Sequence, residues 1–278
     1  SLPNAVPGFV INRYGGSGLE AIHLACAKIN SGSAECVIAG GTESMSMVPM
    51  TGYKSALNYN ISNTNPEYYL NMGLTAEKLA LKYKITREES DLFSYNSHQK
   101  AINAIEKNLF KNEILPIDVD EITVVNGKKT TSKWTVEKDE GPRKNTTVEA
   151  LSKLKPAFKV GGQVTAGNSS QMSDGAAFVV VMSEKMIKKL NIEPIGRLIS
   201  YATAGVEPSI MGIGPADAVP KALKQAGLKQ NDIEQVELNE AFASQSLACI
   251  QDLEIDINKV NLDGGAISLG HPLGATGA

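Results

Sequence analysis

The chain has 278 residues, of which 42% are hydrophobic and 21% are charged, and its formal net charge is −3. This length can bury a sizeable core, and the near-neutral balance gives no general attraction to nucleic acid or anionic membranes. No run of about 18 apolar residues is present, so the sequence predicts no membrane span. Its three cysteines are an odd number without metal-ligand spacing, which favours a reducing compartment and argues against a structural zinc site.

The first predicted unit is a strand, a tight turn and a helix. An apolar run at 8–12 predicts the strand, and Gly15 and Gly16 lie in the turn. Such a turn places backbone N–H groups and the positive end of a helix dipole at its tip, which stabilises an anion or a nucleophile. Ser17 could be that nucleophile, but the hydrolase elbow needs glycine two residues later, where this chain has Leu19. A serine hydrolase is therefore disfavoured.

The helix that follows shows an apolar stripe with helical spacing. Leu19, Ile22, Cys26 and Ile29 share one face, so we expect Cys26 to lie in the core. The other two cysteines, in a predicted strand from Cys36 to Ala39 and in a later helix, are also expected in core positions.

Residues 51–158 differ in character from the rest of the chain. They contain loops rich in Asn and Tyr, a helix that we expect Thr75 to cap, and a long helix that begins at a capping box on Thr86. His98 lies among polar residues of that helix and is expected to be solvated. A hairpin is predicted over 122–137, so the segment is interpreted as an inserted excursion.

Strands and helices then alternate to the end of the chain. The polar loop 161–171, rich in small residues, is either a plain turn or a passage for a narrow ligand arm. The predicted elements after it are a strand at 176–182, a strand near 195–201, a helix from Pro215 to Gly227, a strand at 235–238, a helix through Leu253 and a strand at 260–262.

The stretch 264–275 (GGAISLGHPLGA) holds the most constrained of three histidines. Pro272 fixes its own φ and pushes His271 out of the helical region, while four glycines allow close approach or positive φ. His271 is therefore a candidate for acid/base work or oxyanion binding, the alternative being a surface histidine on a turn. Asn239 follows the strand 235–238, at the end where open α/β sheets place ligands.

Five motifs, in order along the chain, resemble those of the thiolases, and the degradative 3-ketoacyl-CoA thiolase branch is the most similar. They are residues 12–19 (NRYGGSGL), 39–45 (AGGTESM), 167–171 (GNSSQ), 239–243 (NEAFA) and 270–275 (GHPLGA). The resemblance implies an α/β fold in which two similar βαβαβαββ halves form an α/β/α/β/α layered sandwich. The expected divisions are 1–50 with 159–185 for the N-terminal half, 51–158 for an inserted loop domain, and 186–278 for the C-terminal half.

The resemblance also assigns roles to two catalytic positions. In the family, a histidine of the Gly-His-Pro motif lowers the pKa of a nucleophilic cysteine. With a water held by the Asn of Asn-Glu-Ala-Phe, it also binds the thioester oxygen. These roles fall on His271 and Asn239.

Five further positions are expected to contact coenzyme A or substrate. Arg143 matches an arginine that lies against the adenine, Ser170 a serine on the pantetheine arm, and Met72 a methionine that lines the acyl site. Gly270 and Ala241 complete this set. Asn71, where some biosynthetic members have a histidine, favours the degradative branch.

The main departure from the family pattern is Gly15, which stands where the nucleophilic cysteine belongs. The family's second catalytic cysteine would fall beyond Ala278 and its opening strands before Ser1, so we expect a fragment of a longer chain. As written, the chain is predicted not to form an acyl-enzyme.

The resulting hypothesis is a 3-ketoacyl-CoA thiolase whose nucleophile is replaced. Its expected partners are acyl-CoA and CoA, with CoA as substrate, no bound cofactor or metal and no nucleic acid. A homodimer or tetramer is expected, in the cytoplasm, with the mitochondrial matrix or peroxisome as alternatives. Two other functions stay open: a pseudoenzyme that binds acyl-CoA without turnover, and a condensing or decarboxylating relative that uses only the oxyanion groups.

Overall fold

In a computed structural model, which describes residues 2–278, the chain folds into nine α-helices and four β-strands. The helices are α1 (Ser17–Asn30), α2 (Tyr59–Thr64), α3 (Met72–Tyr83), α4 (Arg87–Glu106), α5 (Val148–Ser152), α6 (Glu184–Leu190), α7 (Gly214–Ala226), α8 (Ala243–Asp252) and α9 (Ala266–Leu269). The strands are β1 (Cys36–Ser44), β2 (Ile117–Val125), β3 (Lys128–Val136) and β4 (Asp174–Met182).

Local sequence signals determine where several helices begin and end. At the start of α4, the Thr86 hydroxyl accepts from the Glu89 N–H and the Glu89 carboxylate accepts from the Thr86 N–H, which confirms the capping box. Helix α7 has a proline in its first turn and ends at Gly227, whose φ of 71° is the left-handed conformation that glycine favours. The prediction of both helices is confirmed.

Two antiparallel pairs make up the sheet structure of the described residues. Strands β1 and β4 run side by side, with Cys36 opposite Met182 and Ser44 opposite Asp174. Strands β2 and β3 form the predicted hairpin, and its turn residues Asn126 and Gly127 both have positive φ, as a type I′ turn requires.

The core consists of two apolar clusters that share helix α8. The first cluster is formed by Leu79, Ile85, Ile210, Ile213, Ala216, Ala248, Cys249 and Leu253. The second is formed by Phe93, Ala243, Ile250, Val260 and Ile267. Because the second cluster lies between α4, α8 and α9, it fixes the base of the segment that carries His271.

Four predicted strands are wrong or much reduced among residues 2–278. The segment 8–12 pairs with no strand and Val10 is 96% exposed, while the segment 195–201 is also without a ladder and Ile195 is fully exposed. The strands at 235–238 and 260–262 are reduced to one parallel bridge between Val236 and Val260. An apolar run forms a strand only where a partner strand accepts its backbone hydrogen bonds.

Three side-chain predictions also need correction. Asn71 rather than Thr75 caps α3, because the Asn71 side chain accepts from the Gly73 N–H at 2.8 Å. His98 is buried rather than solvated, since its face of α4 is covered by the segment that carries Arg143. Cys26 is only half-buried and Cys36 is exposed, because the sheet that they adjoin has just two strands.

The chain exposes a large apolar surface. Its accessible area is 18457 Å², whereas a compact monomer of this mass exposes about 12,000 Å². Part of the excess lies on the β1–β4 sheet, where Ile38 and Phe178 are each at least half exposed. None of the described helices is both long and apolar enough to cross a bilayer.

Candidate active site

The backbone at His271 is held by a turn that only glycine can make. Gly270 ends α9 with a φ of 101°, a left-handed conformation that a side chain would strain, and a Cβ there would overlap the hydroxyl of Ser173. That hydroxyl oxygen instead accepts the His271 N–H at 3.1 Å. A glycine at position 270 therefore lets the turn pack closely against Ser173, the residue before β4. The turn at Gly270 and the hydrogen bond to Ser173 together fix the backbone of His271.

The imidazole of His271 is buried, with only 7% of the residue exposed, and contacts a polar partner at each ring nitrogen. Nδ1 lies 2.7 Å from the hydroxyl oxygen of Thr276. Nε2 lies 3.3 Å from the side-chain nitrogen of Asn239, whose Oδ1 is buried without a partner among residues 2–278. Burial lowers the pKa of His271, so the neutral ring is favoured at neutral pH.

Gly15 faces the same imidazole from the start of α1. It lies in the 3₁₀ turn Tyr14–Gly16, and a Cβ at this position would lie 3.1 Å from Cε1 and 3.3 Å from Nε2 of His271. The structure thus brings together the three residues that the sequence predicted as catalytic. A side chain at position 15 would contact the base directly.

The hydroxyl of Ser17 is used to build this turn. It donates to the Tyr14 carbonyl at 2.7 Å and accepts the Arg13 N–H at 2.8 Å. These bonds hold the backbone where Tyr14 adopts a φ of 47°. Ser17 therefore acts as a cap, which agrees with the sequence argument against a serine nucleophile.

Close backbone contacts lock the turn after His271 against α1 and β1. A Cβ on Gly18 would lie 2.7 Å from the backbone nitrogen of Ala278, and a Cβ on Gly41 would overlap the Gly274 carbonyl oxygen. The carboxylate of Glu43 accepts the Gly274 N–H at 3.0 Å. Gly18 and Gly41 are thus required because the neighbouring backbone segments pack too closely to admit a side chain.

Glu240 supports the site from beneath, and the sequence analysis gave it no role. Its buried carboxylate accepts from the Ser97 hydroxyl at 2.6 Å, the Asn261 amide at 2.9 Å and the Ile267 N–H at 3.1 Å. Burial raises its pKa even though these donors favour the charged form. Glu240 joins the Asn239 segment to α4 and α9, and its only sequence signal is a carboxyl group directly after Asn239.

Family comparisons agree with this arrangement. The family model described as thiolase, N-terminal domain, matches residues 1–185, and the model described as thiolase, C-terminal domain, matches residues 192–278. The chain is 50% identical to the 3-ketoacyl-CoA thiolase of Bacillus subtilis (strain 168), with 99% of this chain and 71% of that protein covered. The chain belongs to the thiolase family. Thiolases are acyltransferases, as the resemblance of the five motifs implied.

Solved structures extend the comparison to the fold. The dimeric peroxisomal thiolase of Saccharomyces cerevisiae matches with a TM-score of 0.88 and 42% identity, over 99% of this chain and 68% of that one. Human mitochondrial 3-ketoacyl-CoA thiolase in complex with CoA matches with a TM-score of 0.84 and 42% identity, over 99% and 70%. The predicted thiolase fold is confirmed, while the division at 51, 159 and 186 stays a prediction.

Two of the expected thiolase substrate contacts lie side by side. The Ser170 N–H donates to the Ala241 carbonyl at 2.9 Å, and Ser169 pairs with Phe242 in an isolated bridge. The loop 161–171 is therefore attached to the segment that carries Asn239. Both interpretations of that loop, plain turn or ligand passage, are compatible with this pairing.

Arg143 is attached to the same region through its backbone. Its N–H donates to Nδ1 of His98 at 3.2 Å, while its side chain is exposed. Gln171 fixes the backbone two residues before Arg143: its amide nitrogen lies 3.2 Å from the Gly141 carbonyl oxygen and 3.0 Å from the Ile267 carbonyl oxygen. The segment is thus anchored to α4 and α9, and a role for the exposed Arg143 side chain stays a prediction.

Met72 is connected to the segment that carries Asn239 only through its neighbour Gly73. It begins α3 and is 44% exposed. The next residue, Gly73, packs so tightly on the ring of Phe158 that a Cβ would overlap it, and Phe158 meets Phe242 edge-on at 5.8 Å. A role for Met72 at the acyl site stays a prediction.

The three cysteines do not replace the missing nucleophile. Cys249 is fully buried on α8, its Sγ lies 3.3 Å from the Gly212 carbonyl, and burial raises its pKa to about 11. Burial also raises the pKa of Cys26. Cys36 lies opposite Met182, at the end of β1 remote from the contact with the His271 turn. Residues 2–278 contain no cluster of His, Cys, Asp and Glu that could hold a metal ion.

Proposed function

We propose that this chain belongs to a 3-ketoacyl-CoA thiolase, an enzyme that cleaves a 3-ketoacyl-CoA with CoA to acetyl-CoA and a shortened acyl-CoA. The observation that carries the proposal is the position of Gly15, where a Cβ would lie 3.3 Å from Nε2 of a buried, neutral histidine. Nucleophile and base within such reach are the signature of covalent catalysis. The similarity to two 3-ketoacyl-CoA thiolases, one of which is solved in complex with CoA, supports the substrate class.

In this proposal, a thiol at position 15 transfers its proton to Nε2 of His271. The thiolate attacks the 3-keto carbonyl, the bond between C2 and C3 breaks, and the shortened acyl group stays on the sulfur while acetyl-CoA leaves as its enolate, with the negative charge on the thioester oxygen. The enolate then takes up a proton to give acetyl-CoA, and the thiol of a second CoA takes the acyl group from the sulfur. The new imidazolium N–H, with a water held at Asn239, stabilises the developing oxyanion. Because Gly15 offers no sulfur, this chain is proposed to bind and polarise the thioester without accepting the acyl group.

The expected substrate contacts fit an extended CoA. The exposed guanidinium of Arg143 would lie against the adenine or its phosphates, and the Ser170–Ala241 pair would contact the pantetheine arm. Gly270 would leave room for the thioester end, and Met72 would line the acyl site. A dimer is proposed because the yeast thiolase is dimeric and because the β1–β4 sheet of this chain has an exposed apolar face.

A second candidate function is favoured by Gly15 itself. A homologue that binds acyl-CoA without turnover needs the cleft but not the nucleophile. Both candidates predict that this chain binds acetoacetyl-CoA, which titration calorimetry measures. They differ in the expected effect of a thiol at position 15, because only the thiolase would gain thiolysis activity.

The deciding experiment is the substitution Gly15→Cys in a chain that carries the terminal segments of its longer relatives. Thiolysis of acetoacetyl-CoA is expected to exceed that of the Gly15 chain by about 10⁴-fold or more. Gly16→Cys is the matched control, because a Cβ at Gly16 would meet only the side chain of Arg13, at 3.6 Å. If Gly15→Cys folds, binds substrate and still shows no thiolysis, the thiolase proposal fails and the binding protein is favoured.

A further inference from the structure

Thr276 makes the closest polar contact to the His271 ring. Its hydroxyl oxygen lies 2.7 Å from Nδ1 and 3.0 Å from the carbonyl oxygen of Pro272, four residues earlier. The turn that holds Thr276 is itself fixed, since the Ala275 and Thr276 N–H groups both donate to the same carbonyl. This contact is made at Nδ1, whereas Nε2 is the ring nitrogen near position 15.

The number of protons on the Thr276 hydroxyl and the Asn239 amide determines which ring nitrogen of His271 donates and which accepts. A threonine hydroxyl has one proton, and donation to the carbonyl four residues earlier is its usual choice in a helical turn. With that proton used on Pro272, the oxygen can only accept from His271, so Nδ1 carries the ring proton. At the other nitrogen, the Asn239 side-chain nitrogen can only donate, so Nε2 is an acceptor.

The same turn is pressed against the start of α1. A Cβ on Gly277 would lie 2.5 Å from the backbone nitrogen of Leu19, two residues after the cap Ser17. Movement of Thr276 is therefore limited by the helix that also fixes Gly15. The turn that carries Thr276 and the start of α1 therefore form one packed unit. This unit sets both the distance from the Thr276 hydroxyl to Nδ1 and the distance from Nε2 to position 15.

We propose that Thr276 is a positioning residue, which holds neutral His271 in its Nδ1–H form and so leaves Nε2, the ring nitrogen near position 15, without a proton. Its catalytic meaning rests on the proposed thiolase function, because a thiol at position 15 would transfer its proton to Nε2 in place of the Asn239 contact. Thr276 then stands as the orienting group of a nucleophile–base–orienter arrangement. After proton transfer, the same hydroxyl accepts from the imidazolium while Nε2–H becomes a donor to the thioester oxygen.

The tautomer can be measured on this chain without any reaction. Histidine labelled with ¹⁵N distinguishes a protonated from an unprotonated ring nitrogen by NMR, and a His271→Asn variant assigns the signals among three histidines. We expect the unsubstituted chain and Thr276→Ser to carry the proton on Nδ1. We expect Thr276→Val, which removes the hydroxyl but keeps the shape, to show a substantial Nε2–H population.

Two results would overturn the proposal. One is a proton on Nε2 in the unsubstituted chain, which would mean that Thr276 donates to Nδ1 and that the Asn239 oxygen accepts from Nε2. The other is an unchanged Nδ1–H form in Thr276→Val. Should Thr276→Val not fold, Thr276→Ala provides the same comparison, and the unsubstituted spectrum decides the first point alone.

A second readout uses the thiol of Gly15→Cys. Alkylation by iodoacetamide across pH reports its pKa, and each unit of increase lowers the thiolate fraction about tenfold below that pKa. We expect Thr276→Val to raise this pKa and Thr276→Ser to restore it; equal pKa values in the three backgrounds would contradict the positioning role. Neither readout needs acyl transfer, so an absence of thiolysis would refute the proposed function and leave this inference standing.

Discussion

His98 should make the stability of the fold fall as the pH is lowered from 7 to 5. The residue is 3% exposed on α4, and its Nδ1 accepts the backbone N–H of Arg143. Burial, with a smaller contribution from the Arg143 charge, lowers the pKa of His98 to about 4 from the ordinary histidine value of 6.5. Protonation would place a second donor against the Arg143 N–H, so the folded state resists it.

The size of the effect follows from linkage. Between pH 6.5 and about 4 the unfolded chain binds a proton that the folded chain does not, so the free energy of unfolding decreases as pH falls. With the two pKa values above, the loss attributable to His98 is about 2 kcal/mol at pH 5 and about 3 kcal/mol at pH 4, relative to pH 7. Well above pH 6.5 His98 is neutral in both the folded and the unfolded chain, and it then contributes no pH dependence.

Urea unfolding at pH 7 and pH 5 measures this loss by difference. The comparison variant is His98→Asn, whose side-chain oxygen can still accept the Arg143 N–H but does not titrate. The unsubstituted chain should lose about 2 kcal/mol more than His98→Asn between the two pH values. If the two chains lose the same free energy to within about 0.5 kcal/mol, the burial argument for His98 is wrong.

Three further substitutions test how the site is supported. Glu240→Ala should lower the free energy of unfolding by roughly 3 kcal/mol or more, because three buried donors lose their acceptor. Urea unfolding measures this change, and a loss below about 1 kcal/mol would show that the hydrogen bonds of Glu240 are not needed for stability. Gly41→Ala should weaken acetoacetyl-CoA binding, because its Cβ would displace the turn at Gly274; calorimetry checks this against Gly196→Ala, where a Cβ meets nothing within 4 Å. Gly141→Ala should weaken CoA binding in the same assay, and an affinity equal to that of Gly196→Ala would refute the role assigned to its segment.

The elements that were predicted correctly are those with local signals. The capping box at Thr86, the positive φ at Asn126 and the glycine at 227 each act through residues close in sequence. The strand at 8–12 fails because a strand needs a partner, and pairing is a property of the assembled sheet. His98 was misjudged for a related reason: its neighbours in sequence are polar, but its cover comes from the segment around Arg143.

At the site, the sequence identified which residues matter but could not determine how they are arranged. His271 was found from its constrained backbone, Asn239 from its place after a predicted strand and Gly15 from motif resemblance, and they lie together. Glu240 was given no role, because its hydrogen bonds cross the fold and leave no spacing pattern in the chain. Thr276 was given no role although it lies only five residues after His271, because the sequence does not show which way the turn directs its hydroxyl. Their roles follow from which donors and acceptors the packing brings within reach.

Gly15 differs physically from the other glycines around His271. At Gly41 a Cβ would overlap a backbone carbonyl oxygen, and Gly270 combines a φ of 101° with a Cβ that would overlap Ser173, so both positions require glycine. Gly15 has no positive φ, and a Cβ there would meet only ring atoms of His271 at 3.1 Å or more. A few tenths of an ångström of ring movement would admit a side chain, and that side chain would lie against the base. Backbone geometry therefore does not require a glycine at position 15, and the thiol introduced by Gly15→Cys would lie next to the His271 ring.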